Sequence, residues 1–278
     1  MTAFTVSRAP LGRLLRSELR WIFRRPRTLI LLGLLALYPI LFGIGTQVID
    51  APVRANGNQS IVAAVAGNGL MLPVIVLSTT MLFFLPLGTT MTASDALAGE
   101  ASHGTLRGLL LSPVSRVRLL AVKAFGVAVV SMAATVMTAV IAFVTGLIIA
   151  GPGSLVTISG TTLPVGEALW RVVIATLWVT VQMWAIGAIA LAVSAATEHP
   201  LLVMASVIGG LFVFGLLSSI PVLDWLHPFL ITQSWDSIVD VLRDPMPWDG
   251  LITGLLRAVC YIVIGYSLAL ARMVTKDG

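Results

Sequence analysis

This sequence predicts an all-helical integral membrane protein with six spans, on three grounds. The 278 residues are 58% hydrophobic and only 10% charged, against about 25% charged in a soluble domain. Mean hydropathy is +1.01, and several runs reach the roughly 20 apolar residues that a helix needs to cross hydrocarbon. Leu, Val, Ile and Ala dominate while aromatics make up 7%, which is the composition of a helical bundle and not of a barrel of short alternating strands.

The first element is the stretch LGRLLRSELRWIFRRPR. Leu11, Leu14, Leu15, Leu19, Ile22 and Phe23 recur at helical spacing, and Arg13, Arg16, Arg20 and Arg24 fall largely elsewhere. Residues 1–27 are therefore expected to hold an amphipathic helix lying in the membrane interface, its basic side toward anionic lipid headgroups. A membrane anchor and topology signal explains this helix; a contact with a cytoplasmic partner is the sharper reading. Arg25, Pro26 and Arg27 then turn the chain into the bilayer. The apolar run that follows is longer than a signal-peptide core and has no prompt small-x-small cleavage site, so it is expected to stay as the first span, 28–49.

The second span is expected over 61–93 and contains Pro73 and Pro86, which free backbone carbonyls and permit bends. The third covers 119–150 and stops at the loop signal GPGS. Spans four and five, 167–196 and 200–220, form a tight hairpin around Thr197, Glu198 and His199. The sixth covers 251–271 and leaves the basic tail RMVTKDG, so that 1–278 reads as one transmembrane domain. Before it, residues 221–250 are too long for a turn. Leu226, Phe229, Leu230, Trp235, Ile238, Val239 and Leu242 predict short helices partly embedded in the outer leaflet, and an interfacial aromatic belt explains the tryptophans equally well.

Charge orients the bundle. Placing the amino terminus, the 94–118 loop, the 197–199 turn and the tail on one side puts 13 of the 17 Lys and Arg there, counting Lys123 at the edge of the loop. The positive-inside rule makes that side cytoplasmic, with both termini inside. Asp50, Asp224, Asp236, Asp240, Asp244 and Asp249 fall on the other side, where carboxylates at i, i+4 spacing read as solvated. Basic residues clustered beside spans are orientation signals, so the net charge of +5 does not point to nucleic acid.

Enzyme chemistry finds little support. His103, His199 and His227 are scattered with no H-E-x-x-H, and the lone Cys260 excludes an internal disulfide framework or cysteine metal cluster. No catalytic or metal-binding residue is expected. Within the spans, Ser78, Thr79, Thr80, Thr89, Thr90, Gln182 and Ser206 are the main polar groups. They join helices by hydrogen bonds, or else Ser78, Thr79, Thr80 and Ser206 line a substrate route. Full charges are nearly absent mid-span, which argues against an ion-coupled carrier and suits an amphipathic cargo.

The longest interruption between apolar segments is GEASHGTLRGLLLSPVSRVR, residues 99–118. Ser102 is expected to cap a short helix that ends at Ser112–Pro113, with Leu106, Leu109 and Leu110 on one face. Gly104 and Gly108 leave its backbone thinly covered, and Ser115 is expected to cap the next helix. By pattern alone, a plain interfacial helix and a docking helix fit equally well.

The run E-x3-G-T-L-x2-L-L-x2-P-x-S-R from Glu100 to Arg116 resembles the signature of permease subunits of ABC-2 type transporters. The amphipathic first helix, the six spans and the polar segment before the last span extend that resemblance over nearly the whole chain. It implies a coupling helix that seats in a groove of a separate ATPase, carried here by Glu100, Gly104, Thr105, Leu106, Arg107, Leu109, Leu110, Pro113 and Arg116. It also implies two ATPase subunits, a second permease copy or paralogue, re-entrant helices before span six, and export of a drug, antibiotic, lipid or polysaccharide. The chain has no G-x4-G-K-[ST] loop and only two lysines, Lys123 and Lys276. It is therefore expected to bind no cofactor itself, with ATP and Mg on the partner. A membrane scaffold or sensor subunit is the alternative from another class, and an autonomous secondary carrier is the third.

Overall fold

The structure is a computed structural model and describes residues 11–48, 68–102, 115–151 and 155–275. Helix α1 (Leu11–Phe23) stops just before α2 (Pro26–Val48). Pro26 opens α2 because the first turn has no intrahelical partner for its missing N–H. Arg13, Arg16, Arg20 and Arg24 are all exposed, whereas Ile22 is buried against the bundle.

The second span is broken. A 3-10 turn (Gly69–Met71) leads into α3 (Leu72–Leu82), and α4 (Phe84–Ala96) continues at 52° to it. Pro86 explains the break: its ring would meet the carbonyl of Leu82, four residues back, and it has no N–H to bond there. Pro73 causes no bend, because it occupies the first turn of α3. Helix α4 runs past the expected end at 93 and is followed by the short α5 (Ala98–Ser102).

Helix α6 (Arg116–Ala150) is the longest at 35 residues, roughly 52 Å at 1.5 Å per residue, and so exceeds the bilayer core. Ser115 caps it by accepting from the Arg118 amide. A two-stranded antiparallel hairpin, β1 (Leu155–Val156) and β2 (Thr162–Leu163), pairs Leu155 with Leu163 and leads into α7 (Val165–Ala196). Helix α8 (Pro200–Ser218) starts at Pro200, and three 3-10 segments follow, Pro221–Leu223, His227–Phe229 and Ile231–Leu242. The last helix is α9 (Asp249–Thr275), longer at both ends than the expected 251–271. Helices α2, α6, α7, α8 and α9 are each long and apolar enough to cross a membrane, and α3–α4 taken as one broken span makes six.

Helix α7 is the centre. Its most apolar stretch is 67% buried, against 17% for α8 and 22% for α2 and α9, which turn side chains such as Leu34, Leu41, Phe212 and Leu256 outward. Lipid tails are as apolar as leucine, so these helices are held by close fit and hydrogen bonds and not by escape from water. The α7–α9 contact is the most extensive in the bundle. Trp178 Nε1 donates to the Leu251 carbonyl at 2.9 Å and Gln182 Nε2 to that of Gly254 at 3.0 Å. At Gly265 a Cβ would come within 2.6 Å of the Ala188 carbonyl carbon. Gly265→Val is therefore expected to force α9 off α7 and to cost about 1–3 kcal/mol. A fall in the thermal unfolding temperature in detergent measures it, and no fall would show that the contact yields freely.

Candidate coupling site

The periodicity of α1 puts Glu18 and Ile22 on one face, the one turned to the bundle, and Arg25 follows in the turn before α2. Gly126 of α6 admits this face: a Cβ there would lie 2.8 Å from Ile22 Cδ1. Beside that contact Lys123 of α6 is 3% exposed, and its ammonium is held by carboxylates from two other elements. Nζ lies 2.9 and 3.1 Å from the two oxygens of Glu18 on α1 and 2.5 Å from Glu100 Oε1 on α5. An ammonium has three donors, and these contacts use all three. Burial pushes the Glu100 carboxyl above its ordinary value, and Lys123 opposes that shift.

A second ion pair runs alongside. Arg25 donates to Asp95 on α4 at 2.8 Å, and its guanidinium stacks 3.3 Å above the Trp21 ring. Trp21 also lies 5.1 Å from Lys123 Nζ, so one aromatic ring contacts both cations. Helix α1 and the turn after it are thus tied to α4, α5 and α6.

Two further contacts brace the same end of the bundle. Ser194 of α7 accepts from the Ala98 amide at 2.9 Å and donates to the Ser94 carbonyl at 3.3 Å, which satisfies backbone at the α4–α5 break. Arg116 donates to the Met273 and Val274 carbonyls at 2.6 and 3.0 Å and so caps the last turn of α9.

Of the candidate coupling residues, Glu100 and Arg116 lie in this assembly. Gly104, Thr105, Leu106, Arg107, Leu109, Leu110 and Pro113 fall outside the described residues. The described chain on either side of that segment is anchored, at Glu100 before it and at Ser115, Arg116 and Lys123 after it.

The family match decides what such an assembly belongs to: residues 13–268 fit the family described as ABC-2 family transporter protein. The chain belongs to that family. It is a multi-pass ABC-2 permease, the transmembrane subunit of an ABC transporter that associates with ABC ATPase partners and is not itself the ATPase. A search of the curated proteins finds no match.

The candidate pathway residues of this ABC-2 permease are differently placed. Ser78, Thr79 and Thr80 donate to carbonyls of their own helix at Ile75 and Val76, at 2.7–3.0 Å. Thr79 also accepts from Tyr38 at 3.0 Å, while Thr80 is fully buried and Ser206 of α8 is exposed.

At the opposite end two arginines carry structural work that the linear pattern does not advertise. Arg171 of α7, 5% exposed, donates to the Val241 and Arg243 carbonyls and pairs with Glu167 and Asp244 at 3.3 and 3.4 Å. Arg257 of α9 donates to the Leu230 carbonyl at 3.0 Å. Together they clamp both ends of the Ile231–Leu242 segment. A lone arginine in an apolar run with no acid at helical spacing, as at Arg257, is the one signal that marks such a clamp. Arg171→Ala is expected to leave buried carbonyls without a donor, at about 1–3 kcal/mol each. Faster amide exchange across 239–244 would register that loss, and unchanged exchange would refute it.

Proposed function

We propose that this permease exports an amphipathic cargo from a bacterial cell, with two ATPase subunits below it and a second permease, identical or related, beside it. Both termini and the 103–111 helix lie in the cytoplasm. That helix seats in the ATPase, and ATP-driven closure of the ATPases pushes it together with α1. Lys123 carries this reading: its buried ammonium joins α1 to chain on both sides of the 103–114 segment, so displacement of that segment is passed to α5, α6 and α1 as one body. Buried ion pairs resist separation because removing either partner strands a charge. The scarcity of mid-span charge supports an amphipathic cargo over a small ion.

The test is purification of the permease from native membrane in mild detergent, with every copurifying chain identified. An ATPase subunit and vanadate-sensitive ATP hydrolysis in the same peak are the expected result. A permease that purifies without any ATPase, from membranes that contain its neighbours, would favour the scaffold or sensor reading. In vesicles, cargo should accumulate only on the side away from the ATPase and only with ATP.

A further inference from the structure

Between Asp249 and Arg272 the one charged residue of α9 is Arg257. At 1.5 Å per residue that stretch measures about 35 Å, enough to cross the bilayer core, and Arg257 lies about 12 Å along it from Asp249. A charge at such a depth is costly and is ordinarily paired. Yet Arg257 is only partly buried and meets no carboxylate among the described residues.

A guanidinium has five N–H donors in a planar fork. One terminal nitrogen of Arg257 donates to the Leu230 carbonyl at 3.0 Å and to Ser234 Oγ at 3.3 Å. The three N–H groups on its other two nitrogens have no acceptor among the described residues. Tyr261, one turn on, donates to the Phe229 carbonyl at 2.6 Å and so brings no negative charge. The helix face around Arg257 looks outward: Thr253, one turn before it, and Cys260 and Ile264 after it are all exposed. Side chains on a helix lean toward its N-terminus. For α9 that is the end bearing the 3-10 segments, so the guanidinium is carried toward the headgroups of that leaflet. Thr253 stands on the way, with a hydroxyl that has no partner among the described residues.

We propose that Arg257 and Thr253 hold the phosphate of one anionic phospholipid, whose acyl chain runs down α9 along Cys260 and Ile264. The phosphate oxygens accept charge-assisted hydrogen bonds from the outward N–H groups of the guanidinium and one from the Thr253 hydroxyl. The protein supplies a cation and no carboxylate here, so a lipid of net negative charge completes the balance. A phosphate already paired with its own headgroup ammonium completes it less well and is selected against. The site requires only that α9 crosses the membrane. It does not depend on the ATPase, the cargo or the direction of transport.

The basic face of α1 also attracts anionic lipid, so the test must read this site alone. Cys260 is the one cysteine of the chain and is exposed one turn from Arg257. The full-length permease, with a bimane on Cys260, is reconstituted in vesicles of equal phosphatidylglycerol and phosphatidylethanolamine, one or the other carrying a nitroxide on its acyl chains. Quenching should show phosphatidylglycerol favoured about tenfold, the scale of one hydrogen bond to a charged group. Arg257→Gln keeps an N–H for the Leu230 carbonyl but loses the charge. In that variant the preference should vanish while amide exchange across 231–242 stays at the parental rate. Equal quenching by both lipids in the parent chain overturns the proposal, as does an undiminished preference in Arg257→Gln. Inorganic phosphate in the buffer should leave the preference unchanged; if it abolishes the preference, the site belongs to a soluble anion and the lipid assignment fails.

Discussion

Lys123→Met is expected to destabilise the permease more than Gly265→Val. Methionine matches the length of the lysine stem, so the loss is one of charge and not of volume. Glu18 and Glu100 then lose the ammonium that lies between them. Removing one partner of a buried ion pair costs about 3–5 kcal/mol, against a total stability on the order of 5–15 kcal/mol. At neutral pH most of the variant should elute as aggregate after detergent extraction.

Its pH dependence identifies the cause. Burial holds the folded-state Glu100 carboxyl above its ordinary value of 4.5, and Lys123 is the largest influence pulling it back down. Without Lys123 the folded-state value rises further. A carboxyl with a raised folded value binds its proton more tightly when folded, so stability falls as pH rises from the unfolded value through the folded one. Lys123→Met should therefore be more stable at pH 5.5 than at pH 8. Glu18→Gln with Glu100→Gln, added to Lys123→Met, should recover a monodisperse protein without the pH dependence and without ATP-driven transport. A Lys123→Met protein as stable as the parent at pH 8 would dissolve the case for the buried triad.

Leu109→Glu is the second large effect. If the 103–111 helix seats in an ATPase groove by its Leu106, Leu109 and Leu110 face, a carboxylate at its centre is desolvated with no partner. Central apolar anchors are worth about 2 kcal/mol or more, and the buried charge adds to that loss, so affinity should fall by at least about a hundredfold. Copurification of the ATPase should disappear while membrane insertion and detergent stability stay at parental levels. Leu109→Met should preserve copurification. Wild-type amounts of ATPase on Leu109→Glu would sink the docking assignment, whatever the fate of transport.

Several elements can be read directly because their causes are local. Pro26 and Pro200 open helices, Ser115 caps α6, and the arginines of α1 take the exposed face. Other features have no local cause. Asp240 and Asp244 read as solvated carboxylates on an external surface, yet Arg243 and Arg171 hold them. Pro86 marks a point where the second span bends, but not that the ladder breaks outright at Phe83 and seats α4 against α7 at 52° to α3. The Glu18–Lys123 pair is beyond the reach of any pattern, since 105 residues separate its members.

The membrane environment, the all-helical class, the amphipathic first helix and the family are all legible in the linear chain. They follow from hydrophobic runs, helix period, caps and charge bias, each of which acts within about a helix length of chain. Which charges meet is settled only by packing: Lys123 with Glu18 and Glu100, Arg25 with Asp95, Arg171 with the end of the 3-10 segment. Inside a bilayer the helices gain little by leaving lipid for one another, so their arrangement rests on close approaches and on polar groups that find partners. Those partners come from distant turns of chain, and no local period records them.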